Sequence, residues 1–178
     1  GAIGGEKSEK ASSMTRDLLV YLQQFNTEHV DGLVIDLRNN GGGSLLEALS
    51  MTSLFVTGPV VQVRDARNVD VLNGAGRVAF RKPVVVLVNR NSASASEIVA
   101  SALQDYGRAI IIGDSKTHGK GTVQTVQQLG KPTSTYGADR ITTACFYRIN
   151  GGTTQLRGVE PDIVISSIYD ALELGEDQ

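Results

Sequence analysis

The sequence predicts an α/β fold, in which a layered core of mostly parallel strands is flanked by helices and followed by a more β-rich C-terminal part. Up to residue 112, short apolar runs that suit buried strands alternate with segments of helical periodicity. After residue 122, the composition is that of strands and turns. The length of 178 residues is enough for one hydrophobic core, so a single domain over residues 1–178 is expected.

The helices are predicted where apolar residues recur at helical spacing or where a capping box opens a segment. They cover residues 8–29, 44–55 and 94–106; in the first, one apolar stripe is made by Met14, Leu18, Leu22 and Phe25. Strands are predicted from apolar or β-type composition at 32–37, 59–63, 84–88, 109–112, 123–129, 140–149 and 162–165. Residues 65–81 are polar and contain glycine, which favours a surface excursion.

Composition and charge argue against several classes of function. The net charge is −2, and no run of lysine and arginine suggests a nucleic-acid groove or an anionic membrane surface. Tryptophan is absent and aromatic residues make up 5% of the chain, which also argues against base stacking. The one cysteine cannot form an intrachain disulfide. No apolar run approaches the ~18 residues that cross a bilayer.

Ser94 is the candidate nucleophile. It follows the apolar run 84–88 and a turn of small residues, and it opens a helix. Such a junction exposes a side chain at the end of a sheet, beside free backbone N–H groups and the positive end of a helix dipole. Acyl transfer needs an accessible nucleophile and donors for the oxyanion. The alternative is a capping serine, because Ser94 and Glu97 have the spacing of a capping box.

Lys120 is the candidate general base. It lies between two glycines, which leave it free to enter a crowded site, and it must be partly desolvated to act as a base. Gln124 shares a strand face with Lys120 and is placed to orient it by a hydrogen bond. A solvated loop lysine and an exposed glutamine are the alternatives. His118 lies in the same loop, whereas His29 follows the first helix, where a solvated or capping role is expected.

A glycine-rich loop, residues 41–43, ends the first apolar strand. If the strands ending at 37 and 88 are neighbours in one parallel sheet, a backbone N–H of Gly42 or Gly43 can pair with that of Ala95 as an oxyanion hole. A simple tight turn is the alternative. This loop fails the dinucleotide fingerprint, because position 46 is leucine, and Gly119-Lys120-Gly121 fails the phosphate-loop pattern.

Asp105 is the last candidate. It lies 11 residues after Ser94 on nearly the same helix face. At ~1.5 Å of rise per residue the two are roughly 16 Å apart, which excludes direct bonding. Asp105 is interpreted as structural, with an indirect role left open.

Taken together, four segments resemble the carboxyl-terminal processing or tail-specific proteases, most closely the bacterial tail-specific type. They occur in the order of that family and extend over nearly the whole chain: GLVIDLRNNGGG at 32–43, SASASE at 92–97, GKGTVQ at 119–124 and YRINGGTTQLRGVEPD at 147–162. Each segment alone is weakly specific, whereas four in order are strongly so.

The resemblance implies a serine endopeptidase of crotonase/ClpP-like fold that uses a Ser–Lys dyad. Ser94 matches the nucleophile, Lys120 the general base, and Gln124 its orienting partner. The N–H groups of Ala95 and of the Gly42/Gly43 turn match the oxyanion hole. Asp105 matches an acidic position that supports activity. No metal and no organic cofactor is implied.

The family also sets expectations about partners and location. Its substrates are proteins cut in or near their C-terminal region, often at apolar tails. Bacterial members work in the periplasm or at the outer face of the cytoplasmic membrane, so an extracytoplasmic location is expected, with membrane association of the parent protein left open. The oligomeric state does not follow. Members carry a PDZ domain that captures substrate C-termini by strand addition; this chain is expected to be a catalytic piece without it.

Two departures bear on the position of Lys120. Residue 118 is histidine where the family more often has phenylalanine, and the segment between Ser94 and Lys120 is about one residue longer than expected. A binding or scaffold domain of the same fold is the competing hypothesis, although such a domain needs no Ser94, Lys120 and Gln124 together. An inactive isolated piece of the protease is a further alternative.

Overall fold

The structure is a computed structural model that describes residues 13–74, 76–130, 137–167 and 176. Its three described helices are α1 (Met14–Thr27), α2 (Leu45–Ser53) and α3 (Ala95–Asp105). Ser13 caps α1 by accepting a hydrogen bond from the N–H of Arg16, and Ser44 caps α2 in the same way from Glu47. None of these described helices has both the length and the apolar character that crossing a bilayer requires.

The first sheet is parallel throughout. It contains β1 (Leu33–Asp36), β4 (Val84–Val88), β5 (Ile110–Gly113) and β8 (Ile163–Val164), in the order β1-β4-β5-β8. Asp36 is in register with Leu87, so β1 and β4 end at the same edge of the sheet. The loops that follow these two strands therefore emerge side by side. This is the condition under which the sequence analysis predicts a shared oxyanion hole.

The second sheet is antiparallel. Its strands are β2 (Pro59–Arg64), β3 (Val69–Asn73), β6 (Thr122–Gln128) and β7 (Ala138–Tyr147), in the order β3-β2-β7-β6. Within the described chain, β6 pairs only with β7 and forms one edge of the sheet. The site loop that holds Lys120 leads directly into this edge strand.

α3 lies between the two sheets, α2 packs against α3, and α1 packs against α2. α3 contacts β5 of the parallel sheet and β2 of the antiparallel sheet, and α2 also contacts β2. The core is one cluster of buried apolar side chains contributed by all three layers; its largest fully buried members are Phe55, Phe80, Phe146, Leu22, Leu103 and Ile111. The predicted α/β class with a β-rich C-terminal part is confirmed.

Two details differ from the sequence prediction. Residues 65–81, predicted as a surface excursion, include β3, which pairs with β2 as an antiparallel hairpin although its side chains are largely exposed. The predicted apolar stripe of α1 buries Leu22 completely but leaves Met14 half exposed. The part of that predicted helix before residue 13 lies outside the described residues.

Candidate active site

Ser94 occupies the turn between β4 and α3 in an uncommon backbone conformation. Its φ is +58° and its ψ is −115°, a region that non-glycine residues rarely adopt. Such a conformation costs about 1–3 kcal/mol and persists only where the surrounding structure enforces it. The side chain is half buried and lines a cleft of about 370 Å³. Strained strand-to-helix turns expose the nucleophilic serines of α/β-hydrolases.

The glycine-rich loop lies directly against Ser94. At Gly42, φ is +92°, and an added Cβ would lie 2.6 Å from the Ala93 carbonyl oxygen and 2.7 Å from the Ala95 nitrogen. The predicted approach of this loop to Ala95 is therefore present, and only glycine fits at position 42.

The backbone donors at this junction are not equivalent. The N–H of Gly42 donates to Asn40 Oδ1 at 3.0 Å, and the N–H of Ser94 donates to Glu97 Oε2 at 2.7 Å. The N–H groups of Gly43 and Ala95 have no hydrogen-bond acceptor among the described residues, and both residues line the cleft. Two unused donors at a helix N-terminus can bind an oxyanion.

Lys120 and Gln124 line the same cleft from the opposite side. Lys120 is half buried, and its Nζ lies 3.4 Å from Gln124 Oε1, at the long limit of a hydrogen bond. Ser94 and Lys120 share the cleft without a direct hydrogen bond between their described side chains. Catalytic hydrogen bonds are often long or absent without substrate, so the lack of a Ser94–Lys120 hydrogen bond does not exclude proton transfer between them.

The two glycines beside Lys120 allow close packing, as their pattern predicts. A Cβ added at Gly119 would lie 3.0 Å from the backbone of Leu156. A Cβ added at Gly121 would lie 2.7 Å from the backbone of Gln155. Gln155 Oε1 also accepts the N–H of Gly121 at 2.7 Å. The segment at 155–156 therefore braces the loop that presents Lys120.

Glu97 connects the candidate nucleophile to the loop of the candidate base, a link that the sequence analysis missed. Its carboxyl is fully buried and accepts four hydrogen bonds. One oxygen binds the Thr117 hydroxyl at 2.6 Å and the Gly119 N–H at 2.7 Å; the other binds the N–H groups of Ser94 and of Lys120, the latter at 3.0 Å. The capping-box spacing predicts only the bond to Ser94, because the other three join residues more than 19 positions apart.

Burial raises the pKa of the Glu97 carboxyl above its ordinary value, and the hydrogen bonds from Thr117, Gly119, Ser94 and Lys120 act in the opposite direction. Because burial is the larger effect, protonation of this group is favoured to a higher pH than in an exposed glutamate.

The floor of the cleft is apolar. It is formed by two side chains from α2 and α3 and two from the antiparallel sheet: Leu45, Ile98, Val123 and Phe146. Ile98 and Phe146 belong to the hydrophobic core, so the floor is fixed by the packing of the whole domain. A groove of this kind can accept an apolar side chain beside Ser94.

Asp105 and the two histidines lie outside this cleft. Asp105 receives the Arg148 guanidinium (Nε to Oδ2, 3.1 Å) and Asn150 Nδ2 at 2.9 Å, which fixes the end of β7 to the end of α3. His29 is exposed at the end of α1, and His118 Nε2 lies 3.9 Å from Glu176 Oε1. Among the described residues lining the cleft, Lys120 is therefore the candidate base for Ser94.

Comparisons with known proteins agree with the resemblance. The chain is 46% identical over 172 residues to the tail-specific protease of Haemophilus influenzae, covering 93% of this chain and 25% of that protein. It is 46% identical over 143 residues to the carboxy-terminal-processing protease of Bartonella bacilliformis, covering 78% of this chain and 32% of that protein. The chain thus spans about a quarter to a third of the relatives it matches.

Solved structures give the same result. The photosystem II D1 C-terminal processing protease superimposes with a TM-score of 0.76 at 34% identity, covering 85% of this chain and 39% of that one. Mature CPAF, at 18% identity and a TM-score of 0.69, shares the fold. Residues 7–165 match Peptidase family S41, so the chain belongs to that family.

Proposed function

We propose that this chain is the catalytic domain of a serine endopeptidase that cleaves proteins in or near their C-terminal region. The observation that carries the proposal is the meeting of Ser94, Lys120, Gln124 and two unused N–H groups in one cleft, although they come from three separate segments. The names of the relatives, a tail-specific and a carboxy-terminal-processing protease, support the substrate class.

The reaction begins when Ser94 Oγ attacks the peptide carbonyl and Lys120 Nζ takes its proton. To accept it, the amine has to be neutral, which exclusion of water by a bound peptide favours. Gln124 orients the amine through its Oε1. The missing Ser94–Lys120 hydrogen bond is formed when the lysine side chain turns towards the serine or when one water bridges them.

The N–H groups of Ala95 and Gly43 stabilise the oxyanion of the tetrahedral intermediate. Gly43 is preferred over Gly42 as the second donor because Asn40 already accepts the Gly42 N–H. The protonated lysine then gives its proton to the leaving amine, and an acyl-enzyme on Ser94 remains. Lys120 next activates the hydrolytic water, which releases the new carboxylate and restores the serine.

The apolar floor of the cleft suits the apolar C-terminal tails that the family resemblance implies as substrates. An extracytoplasmic location of the parent protein, and delivery of substrate by a PDZ domain elsewhere in it, are part of the same proposal. Asp105 acts here as a structural residue at the far end of α3.

The test is covalent labelling of the intact chain by a fluorophosphonate probe, read by intact mass. We expect one adduct on the wild type and none on Ser94→Ala or Lys120→Ala. Ser44→Ala and Lys116→Ala are matched controls, because Ser44 lines the same cleft and Lys116 lies in the same loop; both should label. An adduct that survives Ser94→Ala contradicts the nucleophile assignment, and one that survives Lys120→Ala contradicts the base.

If the wild type is not labelled, the labelling experiment is repeated on the parent protein that contains the chain. Labelling there, lost in Ser94→Ala, identifies the isolated domain as a resting form. No labelling there favours the competing role of a binding domain with the same fold.

A further inference from the structure

Among the described residues, the cleft beside Ser94 is lined by two cations and no anion. Lys120 lies at one end and Arg140 at the other, and none of the described residues lining the cleft is aspartate or glutamate. The guanidinium of Arg140 is exposed, with neither an ion pair nor a hydrogen bond to another side chain in the described part of the chain. A cation that has no side-chain partner among the described residues and lines the candidate cleft is available to bind an incoming anion.

The strand register places Arg140 in line with the candidate catalytic residues. On the β6–β7 hairpin, Gln124 pairs with Thr142 and Val126 pairs with Arg140. Because side chains alternate along a strand, Gln124, Val126 and Arg140 lie on one face of the hairpin. Arg140 is two residues beyond the Gln124 pair, or about 7 Å along the strand.

Distance then sets which part of a peptide Arg140 can reach. Gln124 contacts the amine of Lys120, which acts at the scissile bond in the proposed reaction. An extended peptide advances about 3.3 Å per residue. A peptide lying along β6 therefore presents its second or third residue from the scissile bond to Arg140.

We propose that Arg140 is a specificity-determining residue that binds a carboxylate of the peptide substrate two or three residues from the scissile bond. A guanidinium is planar and can bind both oxygens of a carboxylate at once. The carboxylate is either an aspartate or glutamate side chain or the free C-terminus of a tail. The proposal rests on the proposed function, because the scissile bond is defined by Ser94.

The test is equilibrium binding of fluorescent peptides to the Ser94→Ala chain, which cannot turn them over. The peptides share one apolar sequence, in which glutamate or glutamine is placed at each position in turn and the C-terminus is a free acid or an amide. We expect a carboxylate at one position to tighten binding by about five- to ten-fold. Preference for the acid over the amide terminus identifies the C-terminus as the source; preference for glutamate over glutamine identifies a side chain.

Variants at Arg140 decide whether this residue is responsible. Arg140→Gln should abolish the preference, Arg140→Glu should reverse it, and Arg140→Lys should retain part of it. Arg67→Gln is the matched control, because Arg67 is exposed in the turn before β3, at the opposite edge of the second sheet. The preference should also weaken as ionic strength rises.

Three outcomes overturn the proposal: the peptides do not bind, they bind without a carboxylate preference, or the preference persists in Arg140→Gln. Fluorophosphonate labelling of the wild type separates this failure from failure of the proposed function. If the wild type is labelled but shows no carboxylate preference, the proposed function is supported and the Arg140 subsite is refuted. If the wild type is not labelled even within the parent protein, but the carboxylate preference depends on Arg140, the Arg140 subsite is supported and the proposed chemistry is refuted.

Discussion

At the scale of single residues, Gly42 and Ser94 adopt backbone conformations that most residues avoid, and they do so in contact with each other. The glycine makes room for the strained serine, since a side chain at position 42 would collide with the backbone on both sides of Ser94. The same contact brings the loop that contains Gly43 against the turn that contains Ala95, and both residues line one cleft, which is required if their N–H groups are to share one oxyanion. The glycine is therefore part of the geometry of the candidate site.

Gly42→Ala is expected to slow labelling of Ser94 by a fluorophosphonate at least about ten-fold, because displacement of the serine turn by a fraction of an ångström misplaces the nucleophile. The positive φ should also destabilise the domain by about 1–3 kcal/mol, measured by urea unfolding. Gly41→Ala is the control, because an added Cβ there meets nothing within 4 Å. Equal labelling rates for Gly42→Ala and wild type would contradict the assigned geometry.

At the scale of elements, α3 is anchored at both ends by carboxyl side chains with different partners. Its first turn contains Glu97, which binds the loop that presents Lys120. Its last residue, Asp105, forms an ion pair with Arg148 in which the two side chains are 7% and 17% exposed. This second contact fixes β7, and through its pairing with β6 it supports the strand that carries Gln124.

Loss of either partner of the Asp105–Arg148 pair leaves a largely buried charge without its counterpart. Asp105→Asn or Arg148→Met should therefore lower the free energy of unfolding by about 3 kcal/mol, and the double variant should cost less than the sum of the two. Urea unfolding measures all three. Asp36→Asn is the control, because the Asp36–Arg38 pair is about half exposed and should contribute under about 1 kcal/mol.

The same variants test whether Asp105 has a chemical role. If its role is structural, Asp105→Asn that is still folded should label at Ser94 at the wild-type rate. A folded variant that has lost labelling would instead assign Asp105 an indirect part in the chemistry.

At the scale of the whole molecule, the candidate site is the junction of two sheets. The loops after β1 and β4 contribute the glycines and Ser94, and the antiparallel sheet contributes Gln124 and the strand that follows Lys120. The Glu97 carboxyl joins α3 to the loop that leads into the antiparallel sheet, because it accepts the N–H of Lys120. A second link to the same loop is the hydrogen bond from the His118 N–H to the Ser92 carbonyl at 3.0 Å. Separation of the sheets would dismantle the site.

The parts predicted from sequence are those that local pattern determines. β4 is a continuous apolar run that is buried or half-buried along its whole length, as its composition predicts. β1 and β5 are also predicted correctly as strands from mostly apolar runs, but Val34 and Ile110 are exposed, so the burial predicted for these two strands is only partly present. β3 alternates exposed valines with polar residues, and its strand conformation comes from pairing with β2. The positive φ of Ser94 has no sequence signal, because a capping box predicts the helix start and not the conformation of its first residue.

Glu97 shows the limit most clearly. Its capping position is predicted by its spacing of three residues from Ser94. Three of its four hydrogen bonds, however, come from a loop that lies more than 19 residues further along the chain. Tertiary structure thus converts an ordinary helix cap into a buried link between the candidate nucleophile and base.

The protonation of that link is testable through the pH dependence of stability. Burial raises the pKa of Glu97 above 4.5, so the unfolded chain releases this proton at a lower pH than the folded protein does. Its contribution to stability is present below the unfolded pKa and is lost as pH rises through the folded pKa. The difference in unfolding free energy between wild type and Glu97→Gln should therefore decline as pH rises from about 4.5 through that window.

Glu47 is a control of opposite sign at the same position of α2. Its pKa is lowered, first by the hydrogen bond from the Thr15 N–H, so the difference between wild type and Glu47→Gln should decline as pH falls below 4.5. Urea unfolding of the three proteins across this pH range measures both slopes. If the Glu97 difference instead grows with pH, its four hydrogen bonds outweigh burial, and the junction holds a fixed negative charge beside the Lys120 loop.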